Sequence, residues 1–320
     1  MTGRAGLVAA LLVTGIAWGA TSPLSKIAVS TGHGHFGLIF WQLVIGFGLL
    51  GGLTALRRRR VPLTSATLRF GLVIALIGTV MPNSASYVAV AHLPAGVMSI
   101  LISTVPMLAF PIALWLGMDR FGLARLAGLA CGIAGVALIA LPEASLPAGA
   151  APWIALALVA PFLYAVEGNY VARNGTAGLD PIAALALASG IGAVIALPLA
   201  LGTGQFIDPF AGFGPPERAL VASSLLHALA YSLYVWIARS AGAVFAAQVS
   251  YIVTGSGVVW AMLILGERFP PTVWAALAVM MAGLALVQPR PRQEPDPAPA
   301  PAPAPAPATS LPGLSGRGAE

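Results

Sequence analysis

The chain is built from ten long apolar runs, most of them long enough to cross a lipid bilayer as an α-helix. A bilayer core of ~30 Å requires about 20 apolar helical residues. The runs are too uniformly apolar to be strands of an outer-membrane barrel, in which apolar and polar residues alternate. The sequence therefore predicts an all-α integral membrane protein with ten transmembrane helices. The predicted spans are residues 5–30, 36–56, 68–92, 95–118, 121–141, 153–173, 181–202, 218–239, 242–265 and 271–287.

The composition agrees with a surface covered by lipid. Of the 320 residues, 58% are hydrophobic and only 8% are charged, whereas about a quarter of a soluble domain is charged. The net charge of +6 could indicate nucleic-acid binding, but the basic residues lie in short gaps between apolar runs. We therefore expect the bilayer, and no nucleic acid, as a partner. No motif in the sequence calls for a cofactor or a metal.

The basic residues also predict the topology. With the N-terminus inside, 13 of them face the cytoplasm and two face outward, as the positive-inside rule requires. The sequence thus predicts a multi-pass protein of a bacterial inner membrane with both termini cytoplasmic. The 13 are Arg4, Arg57, Arg58, Arg59, Arg60, Arg69, Arg120, Arg125, Arg173, Arg239, Arg290, Arg292 and Arg317; the two are Arg218 and Arg268.

The two halves of the chain resemble each other. Tyr87-Val88 matches Tyr234-Val235, and Asp119-Arg120-Phe121 matches Glu267-Arg268-Phe269. Each half has five predicted spans, an odd number, so the two copies should lie in opposite orientations. Inverted repeats are typical of secondary transporters, whose substrate site lies near the midplane between the repeats. The fold predicted here is therefore two inverted five-helix repeats.

Three regions follow from this division. Residues 1–143 form the first repeat, residues 151–288 the second, and residues 289–320 a Pro/Ala-rich tail. Within the tail, Pro and Ala alternate strictly over residues 297–308, a pattern that favours extended polyproline II and cannot build a packed core. We expect the tail to be a disordered cytoplasmic spacer.

Ionisable side chains inside the second repeat are candidates for function. Glu167 lies past the middle of its span, where a charged carboxylate costs ~3 kcal/mol. It should face a wet cavity, pair with a basic group or stay protonated, and it shares a helix face with Tyr164. His227, Tyr231 and Tyr234 form one stripe. Glu167 and His227 are the candidates for proton coupling, with structural hydrogen bonds as the alternative.

Polar residues in the first repeat add to this set. Pro82-Asn83 interrupts an apolar span, and Asn83 shares a face with Tyr87. Lys26, the single lysine, could line the pathway, reach the headgroups or make an interhelical hydrogen bond. The acids in the turns at Asp119-Arg120 and Glu267-Arg268 should fix each turn and start the next helix.

Several motifs are similar to those of the EamA family of the drug/metabolite transporter superfamily. The first span carries Trp18-Gly19, Pro23 and Lys26, similar to the family's opening pattern. Leu265-Gly266-Glu267 resembles its "LGE" turn, and the segment around Ser250 also resembles the family. Two positions depart from the pattern: Thr254-Gly255 stands where the family usually has a proline, and Asp119 replaces the usual Glu.

This resemblance covers essentially residues 6–287 and implies a ten-helix carrier that alternates between inward-open and outward-open states. It also implies a small-molecule substrate, such as an amino acid or a drug-like compound, that is usually exported. We predict that the substrate pathway includes Trp18, Lys26, Asn83, Tyr87, Tyr164, Glu167, His227, Tyr231, Tyr234 and Ser250.

Two other functions are compatible with a polytopic membrane protein. An enzyme would need clustered ligands or paired acids, and the sequence holds no His-Glu-x-x-His helix, Gly-rich phosphate loop or paired aspartates. A channel could use the same polar lining as a carrier. The sequence leaves the substrate, the energy coupling and a homo-oligomeric state open.

Reporter fusions test the topology. Fusions after Arg60, after Arg239 and in the tail should read cytoplasmic, and fusions within residues 203–216 should read external, because the basic residues stay on the inner side. A C-terminus on the outer side would contradict both the ten spans and the opposite orientation of the repeats.

Overall fold

The structure, a computed structural model, describes residues 4–140 and 149–287, and all regular structure within these ranges is helical. Nine of the described helices are long and apolar enough to cross a membrane, and a tenth apolar helix is shorter. We name them in chain order α1 (Ala5–Ala28), α2 (His35–Leu56), α3 (Ser65–His92), α4 (Ala95–Trp115), α5 (Leu123–Ala140), α6 (Ala151–Asn174), α7 (Pro181–Gly202), α8 (Pro215–Ala241), α9 (Phe245–Leu265) and α10 (Pro271–Leu286).

Each predicted span coincides with one of these helices, with ends that differ by a few residues. Polar caps explain two of the differences. The Thr64 hydroxyl accepts a hydrogen bond from the Thr67 N–H, so α3 begins before its apolar run. Glu217 accepts from the Gly214 N–H at 2.7 Å and starts α8 early in the same way. Most of the link between the two predicted repeats (residues 144–150), and the tail of residues 289–320, lie outside the described residues.

Contacts between the helices follow a reciprocal pattern. The second helices of the two halves, α2 and α7, pack together, and so do the fifth helices, α5 and α10. The first helix of the first half, α1, packs against α8 and α9, the third and fourth of the second half. Correspondingly, α6 packs against α3 and α4. Each half therefore inserts its first helix between the third and fourth helices of the other.

Glycines allow the closest of these contacts. Lipid tails are as apolar as leucine, so helices associate through tight packing of small residues and through polar contacts. Where α9 packs against α4, a Cβ atom on Gly257 would lie 2.7 Å from Cβ of Ser99, closer than real Cβ atoms approach. The Ser256 hydroxyl donates to the Gly15 carbonyl at 3.1 Å, and the Trp260 indole donates to the Ile16 carbonyl at 2.9 Å.

Three helices of the first half are interrupted within their spans, each just before a proline. The α-helix of α1 breaks between Gly19 and Thr21, α3 widens into a π-turn at Leu76–Val80, and α4 breaks at Ser103 and Thr104. Pro23, Pro82 and Pro106 follow these breaks. Because proline has no N–H, it cannot donate to the carbonyl four residues earlier, and the regular ladder fails there.

Substitutions in α9 test the glycine contact. Gly257→Val should lower the free energy of unfolding by about 1–3 kcal/mol, because the added side chain collides with Ser99. Gly255→Val, two residues earlier, is the matched control, since a Cβ atom there meets no protein atom within 4 Å. Thermal unfolding of the purified protein in detergent measures both. Equal melting temperatures for the two variants would contradict the packing described here.

Candidate functional site: the central cavity

A cavity of about 550 Å³ lies among eight of the ten helices. Helices α1 to α4 line it from the first half and α6 to α9 from the second, whereas no residue of α5 or α10 lines it. Its volume falls within the ~300–1,000 Å³ that is usual for small-molecule sites. We refer to it as the central cavity.

One wall of the central cavity is a network of amides and phenols. Gln42 of α2 accepts hydrogen bonds from Asn83 Nδ2 at 3.3 Å and from the Tyr87 hydroxyl at 2.8 Å. Tyr164 of α6 donates to Asn83 Oδ1 at 3.1 Å. The network thus joins α2 and α3 of the first half to α6 of the second. Asn83 and Tyr87 are four residues apart in regular α-helix, so they face this network together.

Gln42 is a central member of the network that sequence reasoning missed. Its signal is nevertheless present, because it is the only amide side chain in the second predicted span, residues 36–56. A lone uncharged amide in an apolar helix indicates a polar partner, since an unpaired amide in a bilayer costs several kcal/mol (~2–7).

An aromatic cluster forms another wall. The Trp18 indole N–H donates to Nδ1 of His227 at 3.1 Å, and the two rings meet edge to face with centroids 5.4 Å apart. Tyr234 also meets Trp18 edge to face, at 6.0 Å. Because an imidazolium carries a proton on both nitrogens, Nδ1 can accept this bond only in the neutral ring. The arrangement therefore holds His227 neutral, with its proton on Nε2.

Glu167 lines the cavity from α6 without a protein partner. No hydrogen bond or ion pair joins its carboxylate to another group in the described part of the chain. The carboxylate packs on Gly78, in the π-turn of α3, where a Cβ atom would lie 2.6 Å from Cδ of Glu167. The hydroxyls of Tyr164 and Tyr231 are close enough for its charge to act on them.

Nine of the ten residues predicted for the pathway line the cavity. The exception is Lys26, whose ammonium donates to the carbonyls of Val90 at 2.7 Å, Ala91 at 3.2 Å and Leu93 at 2.9 Å. These carbonyls end α3 and have no helical partner, so Lys26 caps that helix. The nine are Trp18, Asn83, Tyr87, Tyr164, Glu167, His227, Tyr231, Tyr234 and Ser250.

Glu267 binds the start of α4, just after the end of α3 that Lys26 caps. Its carboxylate accepts from the backbone N–H groups of Ala95 at 2.8 Å and Gly96 at 3.0 Å, which begin α4. The expectation that Glu267 starts the helix that follows it, α10, was therefore wrong. A carboxylate stabilises any free helix N-terminus it can reach, and the fold brings that of α4 to it. Lys26 and Glu267 together bracket the turn between α3 and α4.

Further contacts close the same end of the molecule. The Gln205 side chain accepts from the Phe36 N–H at 3.0 Å, and the Trp41 indole donates to the Ile207 carbonyl at 2.9 Å. His33 and Glu217 approach to 2.6 Å. The loop between α7 and α8 is thus tied to the start of α2.

The opposite end has its own ion pairs. Asp180 caps α7 through the Ile182 N–H at 3.1 Å and pairs with Arg239 of α8 at 2.7 Å. Burial opposes the charge on Asp180, but these two partners outweigh it and lower the pKa of that carboxyl below its usual value. Asp119 pairs with Arg125, so this acid stabilises its own turn, as expected.

Many small hydroxyl groups complete the lining, and no sequence pattern singles them out. A serine or threonine in a membrane helix often bonds to its own backbone, so its presence alone indicates no ligand. Ser224 and Thr254 do this, donating to carbonyls four residues earlier at 2.7 and 2.8 Å. Others of this group are Thr21, Ser22, Ser25, Thr79, Ser86, Ser103, Ser189 and Ser223.

Comparison with known proteins places this geometry in context. A family model described as the EamA-like transporter family matches residues 5–141 and 151–288. A search of the curated proteins finds no match. Among solved structures 22 chains match; one, described only as the crystal structure of a protein, is 18% identical with a TM-score of 0.58. That match covers 87% of this chain and 97% of the other, and at such identity it supports the fold alone.

Thiol labelling tests whether the central cavity holds water. In a Cys131→Ala background, Tyr231→Cys should react with a water-soluble maleimide, because a thiol ionises only where water reaches it. Leu229→Cys, two residues away on the same helix and 56% exposed on the outer surface, should stay unlabelled in a bilayer. Equal labelling of the two would mean that the cavity is dry or that α8 faces the other way.

Proposed function

Because the chain belongs to the EamA-like transporter family, we propose that it exports small metabolites, such as amino acids or drug-like compounds, by alternating access through the central cavity. The observation that carries this proposal is the polar lining of the cavity, to which both halves contribute. Polar and ionisable side chains are costly in a bilayer unless they pair or face a wet cavity. Here they converge on one volume between the repeats, where carriers bind their substrates.

The proposed carrier has ten spans in two inverted repeats. The reciprocal contacts support it, because each half inserts its first helix between the third and fourth helices of the other. Helix α10 has 16 residues and is about 24 Å long, which is shorter than the ~30 Å bilayer core. It can cross if the bilayer is locally thinner or if side chains at its ends reach the headgroups. It packs against α5, its counterpart in the first half. We propose a bacterial inner membrane as its location, and the bias of the basic residues supports cytoplasmic termini.

Alternating access requires helices that bend within the membrane. The interruptions in α1, at the π-turn Leu76–Val80 and at Ser103 and Thr104 supply such positions, and all three adjoin the cavity. Irregular backbone at this depth is tolerated where it is buried in protein or lines a cavity. We assign the bending of the carrier to these three interruptions.

The bonds at one end form the exit gate in this proposal. In the predicted orientation, the end that contains Lys26, Gln205 and Glu267 faces outward. Its hydrogen bonds to α2, α3 and α4 close that side of the structure. Release to the outside then requires these bonds to separate while the inner end closes.

Glu167 is our candidate for coupling transport to protons. His227, the other titratable group of this depth, accepts the Trp18 N–H on Nδ1, and a proton there would displace that bond. The Glu167 carboxylate makes no such hydrogen bond in the described part of the chain. Within residues 4–140 and 149–287, no lysine or arginine lines the cavity, and α1, α2, α4, α7 and α9 contribute only uncharged groups to it. The titratable groups that face it are Tyr87 from α3, Tyr164 from α6, and His227, Tyr231 and Tyr234 from α8.

Blocking the cavity tests the transport route. Purified protein in liposomes should accumulate at least one member of a panel of radiolabelled amino acids and amines. Ser223→Trp fills the cavity and should reduce the uptake at least about tenfold, since a bulky side chain in a binding volume excludes the ligand. Leu229→Trp adds the same group on the outer surface of the same helix and should leave uptake near the wild-type rate.

Size-exclusion profiles of the purified variants check that both fold. Uptake that survives Ser223→Trp in a folded protein would place the route elsewhere.

A further inference from the structure

The charges that line the central cavity indicate what it can bind. Among the residues that the structure describes, Glu167 is the only acidic side chain in the lining, and no lysine or arginine lies there. The one lysine of the chain, Lys26, is outside the lining and already donates three hydrogen bonds to backbone carbonyls. His227 accepts from Trp18 and stays neutral in this arrangement. The cavity therefore carries a single negative group with no positive partner.

From these charges, and on the basis of the transport function proposed above, we propose that the substrate is a small organic cation, an amine or quaternary ammonium compound without a carboxylate, that binds to Glu167. An unpaired carboxylate at this depth is costly, and either a bound cation or a proton relieves that cost. A substrate carboxylate would have no cationic partner in the lining. Amines are therefore preferred over the corresponding amino acids and acids.

Aromatic rings around the cavity suit the same ligand. A cation over the face of a tryptophan or tyrosine ring is attracted by about 0.5–2 kcal/mol. Trp18 and Tyr234 present rings from α1 and α8, and Tyr164 and Tyr231 lie near the Glu167 charge. The indole N–H of Trp18 already donates to His227, so the indole can contact a cation only through its ring.

The position of the carboxylate depends on a glycine. Glu167 rests on Gly78, and a Cβ atom at that position would lie 2.6 Å from its Cδ and 2.9 Å from its Oε2. The π-turn that contains Gly78 follows from the proline at position 82. The missing side chain at Gly78 thus leaves the space that the acid occupies.

One carboxylate that serves both ligands makes transport an exchange. When a monovalent cation leaves Glu167 on one side of the membrane, one proton takes its place, and the reverse happens on the other side. The cycle moves one positive charge in each direction and is electroneutral. A pH gradient therefore drives it, and the membrane potential does not.

Equilibrium binding to the purified full-length protein tests this proposal. The probes are radiolabelled tetramethylammonium, phenyltrimethylammonium and tetraphenylphosphonium, which are permanent cations of increasing size. Competitors are phenylalanine, a zwitterion, and 3-phenylpropanoate, an anion of similar bulk. At least one cation should bind, and 3-phenylpropanoate should not displace it. Binding of none of the three cations overturns the proposal, and so does displacement by the anion.

The pH dependence supplies a second readout. Affinity for the cation should fall as the pH falls, by up to about tenfold per pH unit, because a proton neutralises the carboxylate. Glu167→Gln should lower the affinity about thirtyfold or more and abolish the pH dependence. Asp208→Asn, in an exposed loop, is the matched acid control and should behave as the wild type. A pH dependence that persists in folded Glu167→Gln overturns the proposal.

A pair of glycine variants tests the site even if Glu167→Gln does not fold. Gly78→Ala keeps Glu167 in the protein but should shift its carboxylate, because the added methyl group occupies the space in which the carboxylate lies. Cation binding should weaken about tenfold, as expected for a buried ion pair held off its best geometry. Gly168→Ala adds the same methyl group on α6, where no protein atom lies within 4 Å, and should not change binding. Equal cation affinities for the two variants would overturn the assignment of the site.

Transport separates this inference from the broader function. Uptake of phenylalanine or 3-phenylpropanoate that Ser223→Trp blocks and Glu167→Gln spares would uphold the carrier and overturn the cation site. Uptake of the cations that both variants block supports the two together. Cation binding that needs Glu167 in a protein whose uptake Ser223→Trp leaves unchanged would uphold the site and overturn the transport route.

Discussion

The cost of an unpaired polar group in lipid is the constraint on which this structure depends. It forces the backbone into helices, whose N–H and C=O groups pair within each segment. It also decides where polar side chains go. Gln42, Asn83 and Tyr164 bond to one another across three helices, and the carboxylate of Glu167 faces the central cavity. The cavity is thus the place where this membrane protein can keep polar chemistry that a lipid-facing surface would not tolerate.

A second division separates the helices that line the cavity from those that do not. Helices α5 and α10 pack on each other through Gly128, Gly135 and Gly283, and they contribute nothing to the lining. The interruptions near Pro23, Pro82 and Pro106 all lie in helices that line it. The uninterrupted, glycine-packed pair α5 and α10 therefore lies outside the lining, which includes the interrupted helices together with the uninterrupted α2, α7 and α8. Proline and glycine have opposite effects here: one breaks the helical ladder, the other lets two ladders approach.

Much of the fold could be predicted from the sequence, because apolar length and the matched halves are strong signals in a membrane protein. The family resemblance carried by Trp18-Gly19 and the Leu265-Gly266-Glu267 turn is confirmed by the family model over both halves. Tertiary contacts were harder to predict. Glu267 reaches a helix start that is 172 residues away in the chain, and Lys26 reaches carbonyls 64 to 67 residues away. Nothing local to either residue specifies those partners, and single serines carry too little information to be assigned to a cavity.

The turn between α3 and α4 is held by two contacts, and these have a mechanical consequence. One clamp on it comes from the first membrane helix, through Lys26, and the other comes from the connection between the last two, through Glu267. The position of two adjacent helices therefore depends jointly on α1 and on the connection before α10. Loss of either the Lys26 or the Glu267 contact leaves the turn attached through the other. Either contact alone keeps the turn attached, so the turn is released only when both the Lys26 and the Glu267 contacts are broken.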